Sequence, residues 1–207
     1  MSESESLADV RLSVKDESPV VVKENPRRHA DGRHADEGRR DRIIDAALHL
    51  IATEGVAGTS HRKVAKQAGV PLGSMTYYFT GMDELLREAF TRFANRVADE
   101  FDEQMRRAPS RADALGIVLD TICGNRNHDD AVVTYELYTL AARKPQFRDL
   151  TERWMARSRS ALEYQFDPLT ARLIDALIEG LSIHQVLDRD PAKTADIVEA
   201  LRRITQQ

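Results

Sequence analysis

An all-α fold is predicted by three features of this 207-residue chain. Alanine, leucine, arginine and glutamate, which are good helix formers, dominate the sequence after residue 38. Glycine and proline are sparse in the same region, and apolar residues recur there at the helical period of 3.6 residues. We expect a flexible, partly basic tail over residues 1–38, a three-helix unit over residues 39–85 and a larger helical domain over residues 86–207.

The overall charge argues against a protein that coats nucleic acid with its whole surface. The formal net charge is -4 and the pI is about 5.9, although a local basic face remains compatible with these values. The single cysteine, Cys123, cannot form an internal disulfide, which favours a reducing, cytoplasmic setting and a buried structural thiol. No apolar run approaches the roughly 20 residues of a membrane span, and MSESESLADV lacks the regions of a secretory signal, so we expect no membrane partner.

The tail mixes acids and bases with serine, proline and glycine, a composition that buries too little surface to order itself. Its end, PRRHADGRHADEGRR, carries five arginines and two histidines. Two interpretations stay open for this stretch. It is either a solvated tail or a basic arm that contacts DNA phosphates or a minor groove.

The first helix of the three-helix unit is predicted from Asp41 onward. We expect Gly55 to end it, because glycine commonly follows a helix C-terminus. Its apolar positions share one helix face and are Ile43, Ile44, Ala47, Leu48 and Ile51.

A second short helix is predicted in GTSHRKVAKQAGV. Thr59 or Ser60 can cap its first turn by accepting a backbone N–H hydrogen bond, and Gly69 can take the positive φ of a tight turn. Two short helices joined by a glycine turn are typical of a helix-turn-helix. Val64, Ala65 and Ala68 are expected to face inward, and Arg62, Lys63 and Lys66 to face solvent and supply phosphate contacts.

The third helix, in AGVPLGSMTYYF, carries no charge and is placed where a DNA-reading helix would lie. Pro71 suits its first turn, because the missing N–H would be unpaired there. Gly73 and Ser74 allow close approach to a base edge, and the tyrosine hydroxyls of Tyr77 and Tyr78 can contact phosphates. Leu72, Met75 and Thr76 offer methyl groups for thymine. The alternative is that the same aromatic helix is ordinary core.

The stretch IIDAALHLIATEGVAGTSHRKVAKQAGVPLGSMTYYFTGMDELLREAF resembles the N-terminal domain of the TetR family of bacterial transcriptional repressors. The resemblance implies a homodimer that binds a pseudopalindromic operator in double-stranded DNA and is released by a small-molecule effector. It places Ser60 and Arg62 against DNA from the second helix. It also places Tyr77 against a phosphate and the following residues in the major groove: Pro71, Leu72, Gly73, Ser74 and Thr76.

Two positions depart from the family pattern. The family usually has tyrosine where this chain has Thr76, which shifts the aromatic contact to Tyr77 and Tyr78. It usually has lysine where this chain has Met82, so we expect weaker non-specific DNA affinity unless the basic arm compensates.

Helices are predicted in the second half over residues 83–105, 112–122, 129–142, 147–166, 168–187 and 191–204. Thr134, Tyr135 and Tyr138 share a face and are candidate ligand contacts, although ordinary core is the alternative. Further candidates are Met105, Cys123, Trp154, Met155 and His184. Segment 168–187 is apolar on more than one face, and Gly180 permits close helix approach. The family resemblance implies that this segment and the preceding helix pair with a second copy of the chain.

Catalytic motifs are absent: we find no P-loop, no GxGxxG after a strand, no HExxH and no GxSxG. The six histidines show no metal-ligand spacing on a common helix face, so we expect no metal site, no cofactor and no enzymatic activity. A DNA-binding protein without an effector, an architectural protein, an activator and, less favoured, a helical enzyme are the alternatives that stay open.

Overall fold

The computed structural model describes residues 26–123 and 128–205, with side chains from residue 38 onward. Over these ranges the chain forms nine α-helices and one short 3-10 helix, and no strand. The all-α prediction is therefore confirmed. The helices are α1 (Pro26–Gly58), α2 (His61–Ala68), α3 (Gly73–Tyr78), α4 (Met82–Arg107), α5 (Arg111–Cys123), α6 (His128–Arg143), α7 (Arg148–Leu162), α8 (Pro168–Leu187) and α9 (Thr194–Thr205), with the 3-10 helix at Pro145–Phe147.

Helix α1 begins at Pro26 and not near Asp41, so residues 26–38 differ from the flexible tail that the sequence predicts. Residues 1–25 of that tail lie outside the described residues. The difference has a physical reason, because extending an existing helix costs far less than nucleating one, and this stretch is rich in arginine and alanine. Proline is tolerated at its first position, where no intrahelical N–H bond is needed. At the other end, Gly55 interrupts the regular helix with φ of 71°, as predicted for a helix terminus.

The first hydrophobic core joins the three-helix unit to the body. Val64, Met75 and Phe79 from the unit belong to the same buried cluster as Phe147 and Trp154 from the body. Helix α1 packs against α2, α4 and α6, and α4 packs against α7. A displacement of α4 or α6 would therefore act directly on the position of α1.

The second core lies at the other end of the molecule, between the end of α4 and helices α5, α7, α8 and α9. Its buried residues include Met105, Val118, Leu162, Ile174 and Leu201. This cluster holds α8 by one face, which leaves other positions of that helix exposed.

Two helix ends in the body differ from the predicted bounds by more than two residues. Helix α7 ends at Leu162 and not at 166, because Asp167 starts a new helix by accepting hydrogen bonds from the N–H groups of Leu169 and Thr170 at 3.1 Å. Helix α9 begins at Thr194, a few residues after Pro191. In the described part of the chain, each helix is either too short or too polar to span a bilayer.

Candidate functional site

The α2–turn–α3 geometry matches the predicted helix-turn-helix. Of the two predicted caps, Ser60 is the one used, and its hydroxyl accepts a hydrogen bond from the Lys63 N–H. Gly69 ends α2 with φ of 64° and ψ of 37°, the left-handed conformation that glycine adopts without strain. The Val70 N–H then donates to the Ala65 carbonyl at 3.0 Å, which closes the turn.

Helix α3 begins at Gly73, slightly later than the predicted start at Pro71. Pro71 and Leu72 lead into it through their carbonyls, which accept hydrogen bonds from the N–H groups of Ser74 at 2.9 Å and Met75 at 3.0 Å. The entry is therefore a tight turn that holds Pro71 and Leu72 at the surface.

The surface of α3 is exposed and uncharged. Tyr77 is 74% exposed and Leu72 is 51% exposed, and Ser74 is half-buried. Pro71, Gly73 and Thr76 are exposed as well. The suggestion that Met75 offers a methyl group to DNA is wrong, because Met75 is fully buried in the first core.

Tyr78 lies between the first core and the surface of α3. It is half-buried against the first core, and its ring meets the edge of Tyr77 with centroids 4.8 Å apart. It therefore supports the orientation of Tyr77 as well as lying near the surface.

Three basic side chains, Arg62, Lys63 and Lys66, are exposed on α2, as predicted. Lys63 is already engaged within the protein: its ammonium contacts the Glu54 carboxylate and donates to the Gly58 carbonyl at 2.8 Å. Arg62 and Lys66 have no ion pair among the described residues. The free positive charge of this surface is thus concentrated on Arg62 and Lys66.

A cavity of about 410 Å³ lies in the body among α4, α5, α6, α7 and α8. Its innermost residues are buried, and they are apolar apart from one threonine: Phe93, Ala98, Thr134, Trp154 and Ile178. Its remaining walls carry Val97, Phe101, Gln104, Thr121, Met155, Ser158 and four carboxylates, Glu100, Asp120, Asp130 and Glu179. This volume and composition suit a small organic ligand.

Of the eight predicted ligand contacts, the structure places Thr134, Trp154 and Met155 on the cavity wall. Met105 is buried in the second core, away from the lining. Tyr138 packs on Trp154 with centroids 6.1 Å apart, and the Tyr135 hydroxyl donates to the Ser182 carbonyl at 3.2 Å. These two tyrosines are not among the lining residues.

Cys123 and His184 also lie away from the cavity. The prediction of a buried Cys123 thiol is wrong, because Cys123 is the last residue of α5 and is exposed. His184 is exposed on α8, and its Nδ1 lies 3.6 Å from Asp188.

Most of the lining residues were not predicted from the sequence. Phe93, Val97 and Phe101 follow the apolar periodicity of α4, which predicts a core-facing helix but does not indicate that the same face lines a cavity. The four lining carboxylates gave no signal in the sequence, because acidic residues on amphipathic helices normally face solvent.

Arg96 stands beside the cavity and links two of its helices. Its guanidinium lies 2.8 Å from Asp130 of α6 and 3.6 Å from Glu100 of its own helix. Partial burial opposes the charge of Arg96, but the hydrogen bond and charge of Asp130, together with Glu100, outweigh it and raise the pKa of Arg96. The guanidinium is also 5.4 Å from the ring centroid of Phe93.

Polar contacts tie α4 to the three-helix unit and to the body. Arg92 binds Asp41 and Asp45 of α1, the second at 2.8 Å. At the start of α4, Asp83 accepts hydrogen bonds from Lys144 at 2.6 Å and Gln146 at 3.1 Å. The helix that lines the cavity is thus bound to the helix-turn-helix unit.

No group of acidic, histidine or cysteine side chains suited to a metal ion occurs in the described part of the chain.

The fold and the α2–turn–α3 geometry define a helix-turn-helix DNA-binding protein with a helical body. Residues 43–89 match the family model of bacterial regulatory proteins of the tetR family, and residues 109–207 match the Tetracyclin repressor-like C-terminal domain. The chain therefore belongs to the TetR family of transcriptional regulators, as the resemblance implied. This membership confirms a DNA-binding transcriptional regulator and not an enzyme.

Solved structures and curated relatives agree with this membership. A transcriptional regulator from Streptomyces coelicolor A3(2) is 52% identical, with a TM-score of 0.76 over 82% of this chain and 99% of that chain. The multidrug binding protein EbrR, in complex with ethidium, is 33% identical, with a TM-score of 0.69 over 80% of this chain and 97% of that chain. The regulator PksA of Bacillus subtilis (strain 168) is 28% identical over 73% of this chain and 80% of PksA.

Proposed function

We propose that this regulator is a homodimeric repressor that binds a pseudopalindromic operator and is released by a small organic effector. The observation that carries the proposal is the position of α4. This helix lines the cavity with Phe93, Val97 and Phe101 and is bound to α1 through Arg92. A ligand that displaces α4 would therefore change the placement of the helix-turn-helix unit.

The DNA contacts follow from exposure and charge. Exposed surface of α3 would enter the major groove, where methyl and hydroxyl groups read base edges without charge. Arg62 and Lys66 would bind phosphates, and Lys63 would contribute less, because it already contacts Glu54. The proposed contact residues are Ser60, Arg62, Lys63, Lys66, Pro71, Leu72, Gly73, Ser74, Thr76, Tyr77 and Tyr78.

A stripe of exposed and half-buried residues on α8 supports the homodimer. Its residues recur at alternating spacings of four and three, which is the seam of paired helices: Leu169, Leu173, Ala176, Gly180, Ile183 and Leu187. Leu169 is 60% exposed and Leu187 is 69% exposed, which is unfavourable for an isolated chain in water. A Cβ on Gly180 would meet nothing within 4 Å, so there is room for a second helix to approach. Ile174 and Ile178 do not belong to this surface, because they are buried in the chain's own core.

The effector would occupy the cavity, with Thr134, Trp154 and Met155 among its contacts. Two helices would transmit its binding, because α6 carries the lining residues Asp130 and Thr134 and also packs on α1. Complexes of EbrR with ethidium, proflavin and malachite green support a small-molecule site in this kind of body.

We also propose that residues 39–85 form the DNA-binding unit, that residues 86–207 form the effector and dimer domain, and that the protein acts in the cytoplasm.

The test is to select genomic DNA fragments with the purified protein and to footprint the tightest one. A protected pseudopalindrome with one dimer bound supports the proposal, and half-sites about 34–36 Å apart, or a multiple of this, are expected from two-fold symmetry. Release of that fragment by small molecules separates an effector-controlled regulator from an effector-independent or architectural protein. Reporter expression from the footprinted promoter separates a repressor from an activator. A protein that selects no fragment at physiological salt contradicts the proposal.

The basic arm is tested with the same fragment and two truncations. Deletion of residues 1–25 leaves the PRRHADGRHADEGRR stretch intact, and deletion of residues 1–38 removes most of it. If the arm contacts DNA, only the longer deletion lowers operator affinity and flattens its salt dependence. Equal affinities and equal salt slopes for both truncations would indicate that this stretch is solvated and does not contact DNA.

A further inference from the structure

The walls of the cavity carry an excess of negative charge. Four carboxylates line it, Glu100, Asp120, Asp130 and Glu179, and no lysine, arginine or histidine among the described residues does so. Glu100 and Asp120 are exposed and Asp130 and Glu179 are half-buried. Like charges grouped around one space favour a positive group nearby. The charge of the lining therefore restricts which ligands can enter.

Arg96 neutralises the charge of two of these carboxylates. It bridges Asp130 and Glu100 at 2.8 and 3.6 Å, and its guanidinium faces the ring of Phe93 at 5.4 Å. This arrangement of an aromatic face with two carboxylates already holds one organic cation beside the cavity. Asp120, on α5, has no ion pair among the described residues.

The apolar part of the cavity suits a flat molecule. Trp154 and Phe93 meet edge to face with centroids 5.7 Å apart, and both are buried at the cavity floor. Phe101 adds a third ring to the same lining. Aromatic faces attract cations and stack on planar systems, so the rings and the carboxylates favour the same class of ligand.

We propose that the effector is a planar organic cation, whose ring system contacts Trp154, Phe93 and Phe101 and whose positive charge is balanced by Asp120 and Glu179. The inference rests on the proposed function, in which the cavity holds the effector. Anionic effectors are disfavoured by the same geometry, because their charge would meet carboxylates and no described basic side chain on the wall.

The experiment compares three tricyclic compounds of similar shape and different charge at neutral pH: cationic 9-aminoacridine, neutral acridine and anionic acridine-9-carboxylate. Calorimetry measures their affinity for the full chain. We expect the cation to bind at least about tenfold more tightly than the neutral compound, and the anion to bind most weakly.

Two variants locate the charge effect, Asp120→Asn and Glu179→Gln. Each should lower the affinity of 9-aminoacridine about threefold to tenfold and leave the affinity of acridine unchanged. The matched control is Glu152→Gln, an exposed carboxylate of α7 that does not line the cavity, which should change neither affinity. Equal loss in all three variants would contradict the proposal, because it would indicate a general surface-charge effect.

The same three compounds are also tested for release of the footprinted DNA fragment. This measurement distinguishes a failure of the cation assignment from a failure of the proposed function. If acridine or the anion binds more tightly than the cation and releases DNA, the cation assignment fails and the effector-released repressor stands. If the cation binds through Asp120 but DNA stays bound, the cation site stands and effector release fails. If none of the three compounds binds, the assignment of the cavity to planar organic cations is overturned.

Discussion

Gly55 of α1 and Glu136 of α6 approach so closely that a Cβ atom on Gly55 would lie 2.7 Å from the Oε1 atom of Glu136. The glycine ends the regular part of α1, and the glutamate lies two residues after the cavity residue Thr134 of α6. The contact therefore joins the helix-turn-helix unit to the helix that would sense the effector. The φ of 71° favours glycine at position 55, and an added Cβ would also require the end of the Glu136 side chain to move.

Gly55→Ala and Glu136→Ala form a double-mutant cycle that tests this contact. Gly55 has φ of 71° and ψ of 172°, a backbone region almost restricted to glycine, so alanine costs roughly 1–3 kcal/mol there whatever the neighbouring side chain. We expect Gly55→Ala to be less destabilising in the Glu136→Ala background, because the contact with the carboxylate is removed. Chemical denaturation measures the difference, and Gly69→Ala, whose Cβ meets nothing within 4 Å, should cost the same in both backgrounds. An equal cost of Gly55→Ala in both backgrounds would show that the Glu136 side chain moves away freely.

Arg62→Ala should lower operator affinity and reduce the salt slope of binding by about one, because one phosphate contact is lost. Lys63→Ala should reduce the slope less, since Lys63 contacts Glu54 and the Gly58 carbonyl in the free protein. Fluorescence anisotropy at several salt concentrations measures both effects. The control is Arg189→Ala, an exposed arginine after α8, which should leave the slope unchanged. A slope loss for Lys63→Ala as large as that for Arg62→Ala would show that DNA displaces Glu54.

Leu173→Glu should convert the protein to a monomer with weak operator affinity. Leu173 is 45% exposed in the chain, so glutamate costs little in the monomer, but in the α8 seam it would place two charges together. Analytical ultracentrifugation measures the mass, and circular dichroism checks the fold. Val198→Glu is the matched control, because Val198 is 47% exposed on α9, outside the stripe. A Leu173→Glu protein that remains dimeric would place the dimer surface elsewhere.

A double-mutant cycle with Arg96→Ala and Asp130→Asn measures the link between α4 and α6. Their side chains are 46% and 28% exposed, so we expect a coupling free energy of only about 0.5 kcal/mol in unfolding. Loss of Arg96 should also strengthen binding of 9-aminoacridine, because two carboxylates of the cavity lose their internal cation. Weaker binding of the dye to Arg96→Ala would contradict this expectation.

Glu84 should make an acid-sensitive contribution to the folding stability at the start of α4. Its carboxylate accepts hydrogen bonds from the backbone N–H and the hydroxyl of Thr80, at 2.6 and 2.7 Å, and these bonds lower the pKa of Glu84 below its ordinary value of 4.5. A lowered folded-state pKa stabilises the fold above 4.5, and this contribution is lost as the pH falls through the folded-state value. Glu84→Gln should therefore reduce stability at neutral pH, with the difference from the wild type shrinking in acid. Denaturation of both proteins across this range checks the sign, and a difference that grows in acid would contradict it.

The helix-turn-helix could be predicted from the sequence because its determinants are local. The Ser60 cap, the left-handed Gly69 and the inward positions Val64 and Ala65 lie within one short stretch, and each depends on neighbours a few residues away. The same reasoning failed at Met75, where the sequence offered a DNA contact and the structure shows a buried side chain. Which face of a six-residue helix is covered depends on packing against other helices and not on a local pattern.

The helical class, the order of the helices and the turn chemistry of the DNA-binding unit are therefore encoded in short stretches of sequence, since caps, glycine conformations and apolar periodicity act over one or two turns. The cavity, in contrast, forms only when the helices pack. Its wall combines residues from five helices far apart in the chain, and acidic positions such as Asp120 and Glu179 look like ordinary solvent-facing residues until those helices pack. The exposure of Cys123 depends on packing in the same way, because burial in the body depends on long-range contacts that no single segment encodes.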